Sequence, residues 1–538
     1  MKLLQTLLFS LFYTVGITGF AQATYQEFEV GNISTRVYAD GWLFNDFHYQ
    51  KAKYDIPKNS GISSIYMSGL WIGGYIDLKI PNQPNILRLS KMYNTINNFK
   101  QGPIRLQNRT GADPSYWNKT WIINKSVVLK HIQSFQNKSY EIPSEILNWP
   151  ANGRNGTAEI LAPFIDLNGN SIYEPEKGDY PDMKGDKAIY FICNDAGQGA
   201  NNDGLVLEIH GMLYGFNSND ERISNTMFLN LKILNRSTFD YRNIHFGMYN
   251  DFDLGDPTDD YIGTDSALDM VFSYNGDTQD GPSKGIPSYG DSPPAIGMIF
   301  LNKKLSNSMY FDLDDEERGV PQTNEQYFNY LQSIFKDGTN LKFGGDGHYK
   351  SIGATNQGAH FVFPGDPNHQ TVSSWTESNN FAIPNEPSDR RIIATHHQSS
   401  FNQNDFIEID LAYIFAENSK NDGTNTQAVA ELKTLAKDIK MLYDSGEFSK
   451  PTPPVIPTPN SLISGIYPNP LSIDESIIIA DDLVSNVSVY SVNGVKVLEK
   501  QKGDNDEIQI SHSELSSGLY IIRLTTPFSS KSEKLIVK

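Results

Sequence analysis

Short runs in which apolar and polar residues alternate dominate the pattern of this sequence. Leu229, Leu231 and Ile233 alternate with polar residues, and the apolar positions between Ile407 and Phe415 do the same. A period of two is typical of half-buried antiparallel strands. The candidate strands are residues 64–70 running into 71–74, then 188–192, 206–216, 227–233, 244–249 and 407–415. This many strands of this length predict a mainly β fold, with a β-sandwich-like arrangement in the larger part of the chain.

One segment has a helical period instead. Between Val429 and Leu442 apolar residues recur at spacings of three and four, with lysines on the opposite face. This pattern predicts one amphipathic helix over residues 426–443. By contrast, residues 284–385 are rich in Asn, Gly and Pro and show little periodicity, so we expect long loops or an irregular insertion there.

The N-terminus has the pattern of a secretory signal. Lys2 supplies a positive charge, residues 3–20 are largely apolar, and Ala21-Gln22-Ala23 offers small residues to signal peptidase. We therefore predict a signal peptide at residues 1–23. A membrane anchor is the alternative, but the apolar run is short and polar residues interrupt it. No later stretch is apolar enough to cross a bilayer, so we predict no transmembrane segment in the mature chain.

A proline-rich stretch divides the rest of the chain. Proline recurs through residues 451–461 and favours an extended, semi-rigid conformation typical of a spacer. The spacer separates a β-rich cargo region, residues 24–450, from a C-terminal domain, residues 462–538. The cargo region is long enough for a large core and for two packed units, about 24–200 and 201–450.

The C-terminal domain contains three specific blocks. They are Tyr467-Pro468-Asn469-Pro470, Val489-Tyr490-Ser491-Val492-Asn493-Gly494 and the run SSGLYIIRL at residues 516–524. In this order they closely resemble the type A C-terminal sorting domain of the type IX secretion system of Bacteroidota. The resemblance implies a small immunoglobulin-like β-sandwich whose partner is the type IX secretion machinery. It also implies export through the periplasm, and hence a protein that is secreted or held at the outer cell surface.

The cargo region carries a less informative resemblance. Its blocks at residues 68–74, 161–182, 248–265 and 388–391 resemble a large secreted protein type that recurs beside these sorting domains. Such proteins generally lack an assigned activity. The resemblance therefore implies a shared fold and no mechanism.

Charge and cysteine content narrow the classes of function. The chain has 63 acidic and 44 basic residues, a net charge of −19. Nucleic-acid binding depends on basic residues that neutralise phosphates, so this balance argues against it. Cys193 is the only cysteine, which excludes an internal disulfide and leaves core size or bound ions as sources of stability.

A first acidic loop has the spacing of a calcium-binding loop. Oxygen-bearing residues recur at alternate positions, as calcium requires when it takes six to eight oxygen ligands. The candidate ligands are Asp166, Asn168, Asn170, the carbonyl of Ile172, Glu174 and Asp179. The match to an EF-hand loop is incomplete, because position 12 is Lys177 and position 6 is Ser171 rather than glycine. The alternative is an ordinary polar turn in which Asp and Asn bond to their own backbone.

A second acidic loop follows the predicted strand at residues 244–249. Its candidate ligands are Asp251, Asp253, Asp256, Asp259, Asp260 and Asp265. Crowded carboxylates raise one another's pKa unless a cation neutralises them, so calcium or magnesium is one explanation and a solvated acidic loop is the other. A third acidic run, residues 312–317, has the pattern of an ordinary solvated charge run.

Catalytic motifs are sparse. Residues 281–285, Gly-Pro-Ser-Lys-Gly, match the nucleophile-elbow pattern, but a turn-rich stretch precedes them where a strand is required. Cys193 has no partner signature and is expected to be buried and inert. The leading interpretation is a secreted, calcium-stabilised, non-enzymatic protein of adhesion or of the cell envelope, with an unknown extracellular ligand. The alternative is a secreted hydrolase of polysaccharide or protein, with catalytic carboxylates in the acidic loops, such as Asp251 and Asp253.

Overall fold

The structure is a computed structural model of the chain. It describes residues 23–79, 85–94, 96–197, 204–281, 285–313, 316–371, 374–379, 384–418, 424–448, 466–479, 484, 486–501, 507–525 and 530–538. The predicted signal peptide, apart from Ala23, and the proline-rich spacer lie outside the described residues. So does the centre of the Gly-Pro-Ser-Lys-Gly motif.

Strands account for most of the regular structure, which confirms the mainly β fold. The strands of the cargo region are β1 (Tyr25–Val30), β2 (Ile33–Tyr38), β3 (Asn45–Asp46), β4 (Lys51–Ala52), β5 (Tyr54–Asp55), β6 (Met67–Ile76), β7 (Leu87–Tyr93), β8 (Ile96–Asn97), β9 (Lys100–Gln101), β10 (Trp121–Asn124), β11 (Phe164–Ile165), β12 (Tyr180–Pro181), β13 (Lys187–Asn194), β14 (Leu207–Gly215), β15 (Thr226–Asn235), β16 (Tyr241–Asp251), β17 (Asp260–Asp265), β18 (Met270–Asn275), β19 (Gln279–Asp280), β20 (Gly290–Asp291), β21 (Ala295–Phe300), β22 (Asn307–Phe311), β23 (Arg391–Phe401) and β24 (Phe406–Ala416). Those of the C-terminal domain are β25 (Ser476–Ile479), β26 (Asn486–Ser491), β27 (Lys496–Gln501), β28 (Ile508–Ser511), β29 (Gly518–Thr525) and β30 (Ser530–Val537).

Helices are few and mostly short. They are α1 (Pro114–Trp117), α2 (Lys125–Ser134), α3 (Ser144–Leu147), α4 (Glu221–Ser224), α5 (Asn324–Tyr330) and α6 (Gln427–Asp444), with 3₁₀ turns at Pro175–Lys177, Pro257–Asp259 and His512–Glu514. Helix α6 confirms the predicted amphipathic helix, and it buries Val429, Leu432 and Ile439. None of the described helices is both long and apolar enough to cross a membrane.

Every strand predicted from the sequence pattern is present in the structure, but the pattern missed some strands that the structure contains. Each predicted strand corresponds to one of β6, β13, β14, β15, β16 and β24. The expectation of an irregular segment at residues 284–385 was wrong in part, because β21, β22 and α5 lie within it. Every residue of β21 and β22 is buried, so these strands are covered on both faces and show no alternation.

The chain divides into two compact units that interleave along the sequence. The first comprises residues up to Trp121, Gly153–Glu159 and Ile189–Leu442, and the second comprises Ile122–Asn152, Ile160–Ala188 and Tyr443–Lys538. Strands β13 and β14, on either side of residue 200, are neighbours in one sheet.

Two large sheets form the core of the first unit. One has the strand order β22-β23-β16-β6-β7-β8, and the other runs β13-β14-β15-β24-β21-β18-β17. Ser68 Oγ on β6 lies 2.8 Å from the Tyr413 hydroxyl on β24, so a buried hydrogen bond joins the two sheets. Trp71 is fully buried, stacks on Tyr249 with ring centroids 5.4 Å apart and donates its Nε1–H to the Met92 carbonyl at 2.8 Å. This aromatic core supports the end of β16, where the second acidic loop begins.

In the second unit a short ladder closes the first acidic loop. Strands β11 and β12 pair antiparallel, with Ile165 opposite Tyr180, so the two ends of the loop at residues 166–179 are held together. The loop is therefore the connection of a hairpin rather than an unsupported surface segment.

The C-terminal domain combines a sheet of order β27-β26-β29-β30 with the pair β25-β28. Residues from both sheets share one buried core, including Val489, Ile510 and Leu535. The side chain of Asn469 fixes strand β30, because its Nδ2 donates to the Lys534 carbonyl at 2.7 Å and its Oδ1 accepts from the Ile536 amide at 3.0 Å. The YPNP block thus contributes the residue that holds the final strand in place.

Candidate cation sites in two acidic loops

The first acidic loop brings three of its six predicted ligands together. The side-chain amides of Asn168 and Asn170 both donate to Oε2 of Glu174, at 3.2 and 2.6 Å. Asp166 accepts from the backbone amides of Gly169 and Ser171, both at 2.7 Å. These backbone hydrogen bonds, the one from Ser171 foremost, lower the pKa of Asp166. The side chains at relative positions 3, 5 and 9 therefore converge on one point of a tight turn.

The backbone of this loop has the conformation that position 6 of a calcium loop requires. Ser171 occupies that position with φ of +62°, in the left-handed region that favours glycine. Asp179 is buried and accepts from the amides of Leu167 and Glu174, at 2.9 and 2.8 Å, so it braces the loop from within. Lys177, at position 12, forms an ion pair with Glu174 Oε1 at 2.6 Å, and the Ile172 side chain is 52% exposed.

The second acidic loop begins at the last residue of β16. Asp251 lies opposite Arg391 of β23 in the sheet register. Arg391 Nε is 3.0 Å from Asp251 Oδ1, and Arg391 Nη1 is 2.7 Å from Asp389 Oδ1. One carboxylate oxygen from each of Asp251, Asp253 and Asp389 lies within 4.8 Å of the others. We call these three residues the aspartate triad.

The electrostatics of the triad are unbalanced. Three carboxylates against one guanidinium leave a net charge of −2 when all are ionised. Oδ1 of Asp253 is buried and has no hydrogen-bond partner among the described residues. Burial raises the pKa of Asp253 well above its usual range, and the carboxylates of Asp251 and Asp389 raise it further. Burial also raises the pKa of Asp251 to about 6, against the attraction of Arg391.

The remaining predicted ligands of this loop lie outside the triad. Asp256 caps the 3₁₀ turn by accepting from the Thr258 amide at 3.1 Å. Asp265 pairs with Lys433 of α6 at 3.2 Å. The sequence grouped these residues by proximity along the chain, whereas the fold directs their side chains to different partners.

Asp259 and Asp260 belong to a further carboxylate group that includes Asp280. Burial raises the pKa of Asp259 to about 7, with Asp280 and Asp256 adding to the rise. Burial likewise raises the pKa of Asp280 to about 6. Asp260 is 2% exposed, and within the described part of the chain its buried Oδ1 has no hydrogen-bond partner.

Sequence reasoning did not assign roles to Asp389, Arg391 or Asp280. The block Ser388-Asp389-Arg390-Arg391 was the available signal, since adjacent arginines beside an acidic residue are uncommon in so acidic a chain. The two arginines point to different groups. Arg390 Nη1 is 2.7 Å from Glu377 Oε1 and its Nε is 3.1 Å from Asp312 Oδ1, so Asp312 is part of a buried ion-pair network.

One further set of potential ligands was also missed. Glu317, Asp337 and the buried His348 place ligand atoms within 4.8 Å of one another. His348 Nε2 is 3.1 Å from Asp337 Oδ2, and Lys350 forms an ion pair with Glu317. Cys193 is buried, as predicted, and burial raises the pKa of its thiol.

Comparison with known proteins identifies the C-terminal domain. Residues 465–538 match the family described as the secretion system C-terminal sorting domain. The chain therefore carries a type IX secretion sorting domain, and it is a secreted or cell-surface protein that interacts with that secretion system.

The comparisons give little information about the cargo region. A search of curated proteins found no significant match. Among solved structures, a polysaccharide lyase is similar over 64% of this chain and 36% of its own length, with 9% identity and a TM-score of 0.19. The chain thus spans about a third of the length of that lyase, and at this TM-score the likeness supports no conclusion about fold or activity.

Proposed function

We propose that the exported cargo is a calcium-stabilised, non-enzymatic protein that acts in adhesion or in the structure of the cell envelope. The observation that carries this proposal is the aspartate triad, which has a net charge of −2 when ionised and in which Oδ1 of Asp253 has no partner in the part of the chain that the structure describes. Leaving such a carboxylate buried and ionised is costly unless a cation compensates it. One divalent cation has the charge that the triad lacks.

The chemistry of the ligands supports a hard cation. The triad and the loop at residues 166–174 offer carboxylate and amide oxygens, and neither set contains His or Cys. Calcium takes such oxygen ligands in flexible geometries, whereas zinc and copper favour nitrogen and sulfur. In the first loop, rotation of the Asn168 and Asn170 amides would turn their oxygens toward the point where Glu174 now accepts their hydrogen bonds. The rotation would break the hydrogen bonds that these oxygens accept from the backbone amides of Asn170 and Ile172.

The surroundings of the triad favour a structural ion over catalysis. Asp251 is 2% exposed and lies within a sheet between β6 and β23, so a polymer substrate has little access to it. The sorting domain directs the cargo out of the cell. Calcium sites of other extracellular proteins have dissociation constants of about 10⁻⁴–10⁻³ M.

The test is thermal unfolding of the mature protein with calcium and with chelator. Calcium at about 100 times its Kd should add about 2.7 kcal/mol per site, which is about 5–11 °C in Tm for an unfolding unit of roughly 150–250 residues. Asp253→Asn should remove the shift that arises at the triad. Asp265→Asn is the matched control, because Asp265 pairs with Lys433 instead.

Two results would count against calcium. The first is a Tm that does not change with chelator, together with no heat of calcium binding in calorimetry. The second is an equal loss of the calcium shift in Asp253→Asn and Asp265→Asn.

A secreted hydrolase is the second candidate, and the raised pKa of Asp251, about 6, is what favours it. A carboxyl group with such a pKa can act as a general acid near neutral pH. Turnover of polysaccharide or casein by the purified protein, abolished by Asp251→Asn and unaffected by calcium, would favour the hydrolase over the structural ion.

A further inference from the structure

Three loops of the first unit place His348 beside two carboxylates. Glu317 follows β22, Asp337 lies in a turn after α5, and His348 lies further along the same irregular segment. The Asp337 amide donates to the Glu317 carbonyl at 3.3 Å, so the first two loops are joined. One ligand atom from each of the three side chains lies within 4.8 Å of the others. We call these three residues the histidine cluster.

The imidazole of His348 and the carboxylate of Asp337 are held in position by their surroundings. The His348 side chain is 2% exposed, and its ring packs edge-on against Phe335 with ring centroids 5.1 Å apart. The His348 amide donates to Asp346 Oδ1 at 2.8 Å. Oδ1 of Asp337 accepts from the amide and the hydroxyl of Thr339, at 2.9 and 2.7 Å. Two of the three potential ligands are therefore preorganised.

Both ring nitrogens of His348 face carboxylate oxygens. Nε2 is 3.1 Å from Asp337 Oδ2, and Nδ1 is 4.0 Å from Glu317 Oε2. A neutral imidazole carries a single N–H group, so one of its nitrogens directs a lone pair toward a negatively charged oxygen. That contact is repulsive unless a metal ion binds there or a second proton makes the ring an imidazolium. An imidazolium would donate to both carboxylates, but 4.0 Å is too long for a hydrogen bond.

The side chain of Lys350 contributes to the orientation of Glu317. Its ammonium group pairs with Oε1 of Glu317, whereas Oε2 of the same carboxylate is the oxygen closer to His348. The Lys350 side chain is 51% exposed, so solvent screens its charge. The two oxygens of Glu317 thus have different neighbours, and the oxygen beside the buried ring is the one available to a metal.

The ligand types and distances suit zinc. Zinc binds imidazole nitrogen and carboxylate oxygen at about 2.0–2.2 Å, which places two ligands of a tetrahedral ion about 3.4 Å apart. The 3.1 Å between His348 Nε2 and Asp337 Oδ2 is already close to this spacing. Glu317 has to move closer, and its side chain is 39% exposed. Calcium, by contrast, takes oxygen ligands, so the imidazole distinguishes this cluster from the aspartate triad.

We propose that the histidine cluster binds a zinc ion through one imidazole nitrogen of His348 and one carboxylate oxygen each of Glu317 and Asp337. Three protein ligands leave one position of a tetrahedral ion for a water molecule. This site is separate from the proposed calcium sites and does not depend on them. The third acidic run, residues 312–317, thereby supplies a metal ligand at its last residue.

The test is calorimetric titration of the untagged mature protein with zinc chloride, in a buffer that contains excess calcium. Calcium occupies sites built from oxygen alone, so the heat of zinc binding reports sites that contain nitrogen. One zinc ion should bind at the cluster, and cobalt(II) in its place should show the visible absorption of a tetrahedral ion. Asp337→Asn, Glu317→Gln and His348→Gln should each weaken zinc binding at least about tenfold, since even the loss of a group that only orients a ligand costs about 10–100-fold.

His369→Gln is the matched control. His369 also pairs with an aspartate, its Nδ1 lying 3.1 Å from Asp366 Oδ2, but its side chain is 85% exposed. His397→Gln is a second control, because the rings of His245 and His397 lie 4.6 Å apart and offer a different pair of imidazoles. A melting curve of each variant verifies that it is folded. Asp337→Asn keeps the proposal testable if His348→Gln does not fold, because the amide oxygen of asparagine can still accept from the turn.

The proposal is overturned if zinc does not bind, or if folded Asp337→Asn and Glu317→Gln both bind zinc as tightly as the wild type. It is also overturned if His369→Gln or His397→Gln removes the binding instead. Asp253→Asn should leave zinc binding unchanged, and Asp337→Asn should leave the calcium-induced rise in Tm unchanged. Failure of the zinc site and failure of the calcium role are therefore distinguishable.

Discussion

The loop at residues 166–179 and the loop at residues 251–265 have similar acidic compositions, and their carboxylates meet different surroundings. In the first loop, Asp166 is partly exposed and accepts from two backbone amides, which lower its pKa. In the second, Asp253 has a buried oxygen without a partner among the described residues, and its pKa is raised. Backbone donors therefore stabilise the charge of Asp166, whereas we propose that a bound cation compensates the charge of the second set.

The difference has a structural origin. The first loop is a turn between two short strands, so its backbone amides are free to bond to side chains. The second loop starts at Asp251, whose strand pairs on both sides with β6 and β23. Backbone groups within such ladders are already engaged, so Asp251 pairs with the side chain of Arg391 instead.

The largest expected effect comes from removing Arg391, the guanidinium that pairs with Asp251 and Asp389 of the triad. Arg391→Met should cost about 3–5 kcal/mol in chelator, because it leaves buried carboxylates without their counter-charge. Calcium should restore part of this loss. Urea unfolding measures both quantities, and Arg222→Met, which breaks an exposed ion pair with Asp220, provides the baseline. An Arg391→Met variant no less stable than this baseline would show that the triad is not electrostatically strained.

Removing a carboxylate from the triad should have the opposite sign. In chelator, Asp253→Asn should raise the free energy of unfolding, because it removes a carboxylate whose pKa burial and the neighbouring carboxylates of Asp251 and Asp389 raise. In calcium the same variant should be less stable than the wild type, because a ligand is lost. Urea unfolding in both buffers checks the crossover. A variant that is destabilised in both would mean that Asp253 makes a favourable contact without any ion.

The pH dependence follows from the pKa of Asp251. Its folded-state pKa of about 6 lies above the unfolded value of about 3.9. The folded state therefore binds this proton more tightly, and the resulting stability is present at low pH and is lost as the pH rises toward 6 and beyond. In chelator, the wild type should lose stability relative to Asp251→Asn between about pH 4 and pH 7. The calcium-induced rise in Tm should grow over the same interval, and a calcium effect independent of pH would contradict the assignment.

The smallest effect is expected in the first loop. Asp166→Ala should lower the Tm even in chelator, because the amides of Gly169 and Ser171 lose their acceptor. It should also reduce the calcium shift of this loop. Glu176→Ala, at an exposed position of the same loop, is the control. If Asp166→Ala instead raised the Tm, the two loops would be electrostatically alike.

Local patterns predicted much of this fold, and their failures have physical causes. Alternation identified β15, whose second half alternates between buried and partly buried residues, and the helical period identified α6. It failed for β21 and β22, which are buried throughout. The three sequence blocks were enough to identify the sorting domain.

The candidate sites were predictable only as far as they are local. Asn168, Asn170 and Glu174 converge because they share one turn. The triad instead depends on β16 pairing with β23, which brings Asp251 beside Arg391 from a distant part of the chain. Strand order is a property of the whole sheet, and no spacing within the second loop indicates it.

The two hydrogen bonds between Asn469 and strand β30 have a consequence for which chains carry a folded sorting domain. Leu535 and Val537 of this strand lie in the core of the sorting domain, and the Lys538 amide donates to the Leu471 carbonyl at 3.0 Å. A ribosome that stops before residue 530 produces a cargo with an unfinished sorting domain, whose core stays open. We therefore expect only chains that include the complete last strand to form a folded sorting domain.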